Sequence, residues 1–456
     1  MSRHFLRILA APLLLLLACA HAPARGPRAL PWSRQIAMRE EWLAKRHALL
    51  LDMMRPHGIA MWMVVNEEFH DDPLTWYVAP PRPYAGGRDL FVFADAGDQG
   101  LKRYAVTGYA EDNLLRFFES PEEFRKVKEG IQAVVARHDP QTIALSIEPR
   151  DYRPSRGVTR SLTKATYEFL ADALGPRYEA RFVPAGPLIE EYLDTRLPEE
   201  REPYAELCAA TEQLTRQALS NEVITPGRTT VGDVRRFLYD RLAELGYGTW
   251  FQPDMRVQRK GGAGQFSRGF LAVAPESVVI ERGDLLHVDF GLASFGLDTD
   301  WQKMAYVLRE GETDAPAGLK NLLANTNALQ EAVAAAARPG RISAEVYEAA
   351  MNAMKARSAE AVAQGRVPFT AQIYSHPLGA QGHGLGPTID GRAAERKDPP
   401  RPLRKGSYLA VELNTKAAVP EWDGQEAFAM EEDPAELTED GYRFFRPRQT
   451  EYYLIR

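Results

Sequence analysis

The sequence predicts an α/β chain of two domains, the second built from a duplicated helix–helix–sheet unit. Three observations predict it. The chain has 456 residues, too many for one compact core. Strand-like and helix-like segments alternate between about residues 30 and 185. Beyond residue 200 the pattern changes, and a Pro-Gly-Arg turn flanked by helical stretches occurs twice. With 45% hydrophobic and 26% charged residues the composition is that of a globular protein, which excludes a disordered or fibrous chain. The net charge of −6 and the lack of a polybasic run make nucleic acid an unexpected partner.

The N-terminus reads as a targeting segment. Arg3 and Arg7 precede an apolar run, Ile8 to Leu17, that is too short to span a bilayer, so residues 1–18 are expected to be a signal peptide. Leu16-Leu17-Ala18-Cys19 resembles the lipobox of bacterial lipoproteins, which implies lipid on Cys19 and cleavage before it. Ala20 in place of Asp after that Cys implies an outer-membrane lipoprotein facing the periplasm. Ala20-His21-Ala22 offers ordinary cleavage, and a soluble periplasmic protein, as the alternative. Residues 19–32, rich in Ala, Pro and Arg, read as a tether. Cys208 is the one other Cys, and its helical, apolar surroundings predict a buried, inert thiol.

The first domain is expected over 33–190. A helix is predicted over 34–56 from the spacing of Ile36, Trp42, Leu43, Leu49, Leu50 and Met53. Strands follow at Ile59–Val65, Leu90–Phe93 and Tyr104–Thr107, then a helix over 121–137 and a strand at Thr142–Ile147. Leu197-Pro198 to Pro203 marks a break, and the second domain is expected over 198–456. One helix over about 203–222 runs into Thr225-Pro226-Gly227-Arg228-Thr229-Thr230 and a second helix to Leu245. Another, from about 317, runs into Arg338-Pro339-Gly340-Arg341-Ile342-Ser343 and a helix to about 358. Gly is expected to end the first helix of each pair and a hydroxyl to cap the second. Two such halves would face each other across a cleft.

Carboxylates gather in the strands after each helix pair. Leu285 to Gly291 alternates, with Leu286, Val288 and Phe290 on one face and His287 and Asp289 on the other. Asp300 leads into a second strand, Met304–Leu308, and a hairpin of that size brings the two Asp side by side. Paired carboxylates need a proton or a cation between them. Gly382-His383-Gly384-Leu385-Gly386 places a His in a glycine-rich turn. Ser407–Asn414 alternates and carries Glu412 opposite Leu409, Val411 and Leu413. Met430-Glu431-Glu432-Asp433 precedes Leu437-Thr438-Glu439-Asp440-Gly441.

These motifs resemble the M24 metallopeptidases, the family of methionine aminopeptidases, Xaa-Pro aminopeptidases and prolidases. The resemblance covers about 200–456. Residues 33–190 resemble, more loosely, the creatinase-type N-terminal domain of the Xaa-Pro-cleaving members. It implies a pita-bread fold and five metal ligands in family order: Asp289, Asp300 eleven residues later, His383, Glu412 and Glu432. The Glu-Asp-x-x-x-x-Thr-Glu-x-Gly motif selects Glu432 over Glu431. The resemblance further implies two divalent metal ions, a short peptide or amide substrate, a homodimer, and Glu412 doubling as proton shuttle. The oxygen-rich shell favours Mn first, with Co, Zn or Fe as alternatives.

The surroundings depart from the family pattern. The family's His seven residues after the ligand corresponds to Asp390, its His four residues before to Gly379, and its Arg two residues before the last Glu to Met430. No His occurs between His138 and His287. His376 is the first candidate to take over a catalytic role, with His287 second; a structural His is the alternative for each. The basic run from Arg392 to Lys405 either reads a substrate carboxylate or is a solvated loop, and Trp301 either lines the pocket or packs in the core. The departures keep two rivals to a peptidase open: a metal-dependent hydrolase of a non-peptide amide or ester, and a non-catalytic binding protein on the M24 fold.

Overall fold

The computed structural model describes residues 27–70, 72–81, 87–148, 162–262, 266–267, 270–391 and 400–456. The expected signal peptide, Cys19, most of the tether, Arg392, Arg396 and Lys397 lie outside these residues. Among the described residues no helix is long and apolar enough to cross a membrane.

The first domain is a five-stranded sheet between helices. It comprises α1 (Trp32–Met54), β1 (Met61–Glu67), β2 (Arg88–Asp95), β3 (Leu101–Val106), α2 (Val127–His138), β4 (Ile143–Leu145), α3 (Lys164–Leu174), β5 (Phe182–Pro184) and α4 (Gly186–Asp194). The strand order is β3-β2-β1-β4-β5, with β1–β3 antiparallel and β4 and β5 parallel to β1. Alternation along β1 divides the core. Trp62 and Val64 pack with Leu50, Met53 and Met54 of α1 on one face. Met61, Met63 and Val65 pack with Ile131, Val134 and Val135 of α2 on the other. Burial on both faces explains why β1 reads as an unbroken apolar run. The helix expected over 121–137 starts only at Val127, because Lys126 is extended and residues 122–125 form a 3₁₀ turn. That turn folds Phe124 onto Gly130, where a Cβ would lie 2.9 Å from Phe124 Cα.

The second domain holds α5 (Arg201–Ala218), α6 (Val231–Leu245), β6 (Asp254–Gln258), β7 (Leu285–Asp289), β8 (Gln302–Val307), α7 (Ala317–Ala336), α8 (Ser343–Ala363), β9 (Phe369–Leu378), β10 (Tyr408–Ala410), β11 (Leu413–Val419), β12 (Gln425–Glu431), β13 (Pro434–Thr438), β14 (Gly441–Phe444) and β15 (Tyr453–Ile455). One sheet runs β15-β8-β7-β6. The other runs β12-β11-β9-β10-β13-β14, with Ile389–Asp390 added beside β9. Each half uses its Pro-Gly-Arg turn alike. Gly227 N–H donates to Ile280 O and Val231 N–H to Val278 O; Gly340 N–H donates to Leu403 O and Ser343 N–H to Arg401 O. In each half a Thr of the first helix meets a second Thr near or in the sheet: Thr211 with Thr299, just before β8 (2.8 Å), and Thr326 with Thr415 of β11 (2.6 Å). One hydroxyl cap forms as expected and the other does not. Thr230 accepts from Asp233 N–H in a capping box, whereas α8 begins after Ile342 with no side-chain cap. The glycines do not end the first helices, which stop earlier, at Ala218 and Ala336.

Ion pairs join the domains. Arg46 of α1 binds Glu200 just before α5, both buried, and Arg404 donates to Asp194 at 2.8 Å. Arg401 pairs with Glu190 and Lys405 with Glu439, so the described part of the basic run is engaged within the protein. Cys208 is buried in α5, with its thiol pushed well above the ordinary range by burial.

His47 of α1 carries a testable charge. Its Nε2 lies 3.0 Å from Val78 O, Arg103 faces its Nδ1, and Phe93, Phe117 and Phe118 surround the ring. Burial, then Arg103, push its pKa down to about 3. A depressed base favours the fold above its unfolded pKa, and that contribution is lost as pH falls toward the folded value. Relative to His47→Gln, the wild type is therefore expected to lose about 3 kcal/mol of stability between pH 6.5 and pH 4, read from denaturant midpoints.

Candidate metal centre

A backbone bridge between Gln302 and Glu432 links the two sheets of the second domain at the site. The main chain continuing from β12 leaves its own ladder at Glu432 and bonds Gln302 instead: Glu432 N–H donates to Gln302 O (3.3 Å) and Gln302 N–H to Glu432 O (3.2 Å). The strand expected over Ser407–Asn414 is interrupted at the corresponding place, between β10 and β11, where Glu412 lies. Asp289 ends β7, opposite Gln302 and Asp254. Asp300 enters β8 after a hairpin whose tip, Phe295-Gly296, takes positive φ (42° and 79°). Asp289 and Glu412 each lie four residues after the first residue of their strand, at equivalent places in the duplicated halves.

Ligand-type atoms of Asp289, Asp300 and Glu432 lie within 4.8 Å of one another; so do those of His376, Glu412 and Glu432, and those of Asp300, His376 and His383. Glu432 is common to the first two groups. The imidazole facing the carboxylates is that of His376, on β9. Its Nε2 is 3.3 Å from Glu432 Oε1, 3.5 Å from Asp300 Oδ2 and 3.9 Å from Glu412 Oε2, and the residue is 1% exposed. His383 is exposed; its ring stands edge-on to His376 (centroids 4.6 Å) and to Trp250 (4.9 Å). The turn carrying it is held by Asp298, whose carboxylate accepts from Gly382 N–H at 3.0 Å and whose N–H donates to Gly379 O. Gly382 is required there, because a Cβ would sit 1.9 Å from Trp250 Cε2.

The electrostatics call for cations. Burial, then the Glu432 charge, hold the carboxyls of Asp289 and Asp300 well above the usual range; burial, then Glu412, do the same to Glu432. Asp289 Oδ1 and both carboxylate oxygens of Glu432 are buried without a hydrogen-bond partner among the described residues. Buried, unsatisfied carboxylate oxygens on Asp289 and on Glu432, the residue common to two of the groups, are the donors that hard or borderline divalent ions take.

Three neighbours escaped the sequence reading. Gln302 donates its amide to Glu412 Oε1 (2.9 Å) and Asp289 Oδ2 (3.3 Å). Arg256 of β6 lies 3.9 Å from Asp289 Oδ2, so a guanidinium reaches the site from a strand other than the one bearing Met430. The alternation of Asp254, Arg256 and Gln258 with Met255 and Val257 was the available signal. His287 is fully buried between Arg256 and Gln302, and Trp301 packs in the core. The third neighbour, Lys303, sits behind the site. Its ammonium is buried and bonds Glu431 Oε2 (3.0 Å), Asp433 Oδ1 (2.8 Å) and the carbonyls of Gln302 and Glu432.

A duplicated sheet-and-helix unit closing on a cluster of carboxylates and imidazole defines a metal-dependent hydrolase. The chain belongs to metallopeptidase family M24, whose model matches residues 202–439. Its members use divalent metals, and this chain is a metallohydrolase of that family. Three solved structures share the architecture. An X-Pro aminopeptidase from Thermotoga maritima is 16% identical, with a TM-score of 0.63 over 88% of this chain and 99% of that one. A Bacillus anthracis Xaa-Pro dipeptidase is 15% identical, with a TM-score of 0.63 over 90% and 99%. A zinc-substituted E. coli aminopeptidase P in complex with product is 15% identical, with a TM-score of 0.64 over 90% and 96%. These identities carry the fold, including that of the first domain. No curated protein sequence matches the chain.

Removing Lys303 strands two buried carboxylates. Lys303→Met is expected to cost roughly 3–5 kcal/mol in urea unfolding, and adding Glu431→Gln and Asp433→Asn to it should recover most of the loss.

Proposed function

We propose that the protein is a dinuclear aminopeptidase or dipeptidase that hydrolyses short peptides. The observation that carries this is Glu432, shared between a carboxylate group on one side and a His376–Glu412 group on the other. On this reading Asp289, Asp300 and Glu432 hold one divalent ion, and His376, Glu412 and Glu432 hold a second near Asp300. His376 then takes the ligand role that the sequence reading assigned to His383. His383, seven residues on, matches the second His that the family keeps at that interval, and its exposure leaves it open to substrate. Manganese is the first expectation for the metal, with Co, Zn or Fe as alternatives.

A bound metal pair lowers the pKa of a water and polarises the scissile carbonyl. The chain's own groups do the rest. Glu412 takes a proton from the attacking water and passes it to the leaving amine. Trp250 packs against His383 and holds that imidazole edge-on to His376, where it can donate to the developing oxyanion. Met430, in place of an Arg, and the lack of a His roughly seventeen residues before Asp289 remove two groups that proline-cleaving relatives keep. Two of the three structural neighbours bear X-Pro names, so X-Pro peptides head the substrate panel without defining it. We further propose export as a lipoprotein anchored through Cys19, and a homodimer.

Purified protein is expected to carry about two equivalents of transition metal, to lose peptide hydrolysis in chelator and to regain it with Mn(II). Glu412→Gln should lower kcat by roughly 10²-fold or more. Full turnover by that variant, or hydrolysis of esters and non-peptide amides but of no di- or tripeptide, would overturn the reading. Membrane fractionation tests the anchor: the wild type should sediment with the outer membrane and Cys19→Ala should not.

A further inference from the structure

Behind the ligands, β6, β7 and β8 place three polar side chains in line. Arg256 Nη1 lies 3.2 Å from His287 Nδ1. His287 Nε2 lies 2.9 Å from Gln302 Oε1. Gln302 Nε2 lies 2.9 Å from Glu412 Oε1 and 3.3 Å from Asp289 Oδ2. His287 is fully buried, Gln302 is 3% exposed, and Arg256 is anchored by its Nε to Leu271 O at 2.9 Å.

The direction of this chain follows from what each group can do. A guanidinium has donors only, so Nδ1 of His287 must accept. The ring proton then sits on Nε2 and donates to the Gln302 carbonyl. With its oxygen committed, the amide presents its NH₂ to the two carboxylates. The reversed amide would set a carbonyl against two anions and the His287 N–H against an NH₂ group. Each bond thus excludes the alternative state of the next.

We infer that Arg256, His287 and Gln302 form a one-way hydrogen-bond relay that positions Glu412 and Asp289 for the metal pair. The three act through Glu412 and Asp289 and are positioning residues. Gln302 links a ligand of the first half of the fold to one of the second, and outer partners of this kind set both the orientation and the affinity of a metal shell. The inference rests on the metal-site reading proposed above.

Two measurements test it without a substrate. In zinc-loaded protein at pH 7, ¹⁵N NMR is expected to show His287 as the neutral Nε2–H tautomer; the Nδ1–H tautomer or an imidazolium would overturn the relay. Titration of metal-free protein with Mn(II) should show about 10-fold or greater weakening in Gln302→Met, an isosteric change without hydrogen bonds, and in Gln302→Glu. Arg256→Lys, which still donates, should stay nearer the wild type than Arg256→Met. Where a peptide substrate is turned over, Gln302→Met should lower kcat with KM nearly unchanged. Wild-type manganese affinity in Gln302→Met overturns the proposal; if that variant fails to fold, the NMR result on the wild type decides. The expected tautomer and metal affinities, found together with no peptide hydrolysis, would refute the peptidase reading and leave the relay standing.

Discussion

Everything about the site follows from the cost of crowding anionic groups inside a protein. Asp289, Asp300 and Glu432 are packed where water does not screen them, beside Glu412, and burial together with mutual repulsion drives the first three toward protonation. Such an arrangement persists only if positive charge offsets it. The protein supplies that charge on one side alone: Lys303 neutralises the acids behind the strand, while the cluster in front is left for ions from solution. Arg256, 3.9 Å from Asp289, compensates only part of it. The deficit in front fits the cluster to divalent ions, as opposed to a closed salt-bridge network.

Duplication explains how a chain can assemble this cluster. Each half provides a helix pair, a Pro-Gly-Arg turn bonded to the segment before the next strand, and a carboxylate at the end of a strand (Asp289) or just past it (Glu412). The second half brings His376, Glu412 and Glu432 together, whereas Asp289 and Asp300 of the first half form a group only with Glu432. The set is completed where Gln302 and Glu432 join the two sheets, so the cleft and the hinge of pseudo-symmetry are one place. The first domain closes over this framework through buried or partly buried ion pairs, Arg46 with Glu200 and Arg404 with Asp194.

Much of this was legible in the sequence. Asp289 and Asp300 are joined by a hairpin too short to separate them, and alternation fixes the faces of their strands. The repeated Pro-Gly-Arg turn announced the duplication before any distance was known. The imidazole nearest the carboxylates was harder to read. His376 and His383 are both close to the glycines, and which one faces inward depends on β9 continuing to Leu378, a length set by pairing with β10 and β11. Of the partners recruited across the sheet, Arg256 left only the alternation of its strand as a trace and Gln302 left none. Gln302 looks like an ordinary strand glutamine, and its role appears only when His287 and Glu412 are brought to it from distant parts of the chain.

The triplet Glu431-Glu432-Asp433 shows what this architecture forbids. Successive side chains on a strand alternate, so Glu431 and Asp433 reach Lys303 while Glu432 reaches the ligands. Three consecutive acids look interchangeable, yet slipping this strand by one residue would send two carboxylates into the metal cleft and leave the lysine with one. Insertions and deletions between β12 and β13 are therefore barred by charge parity as firmly as by packing, and natural variation in chain length must fall in the loops outside this seam.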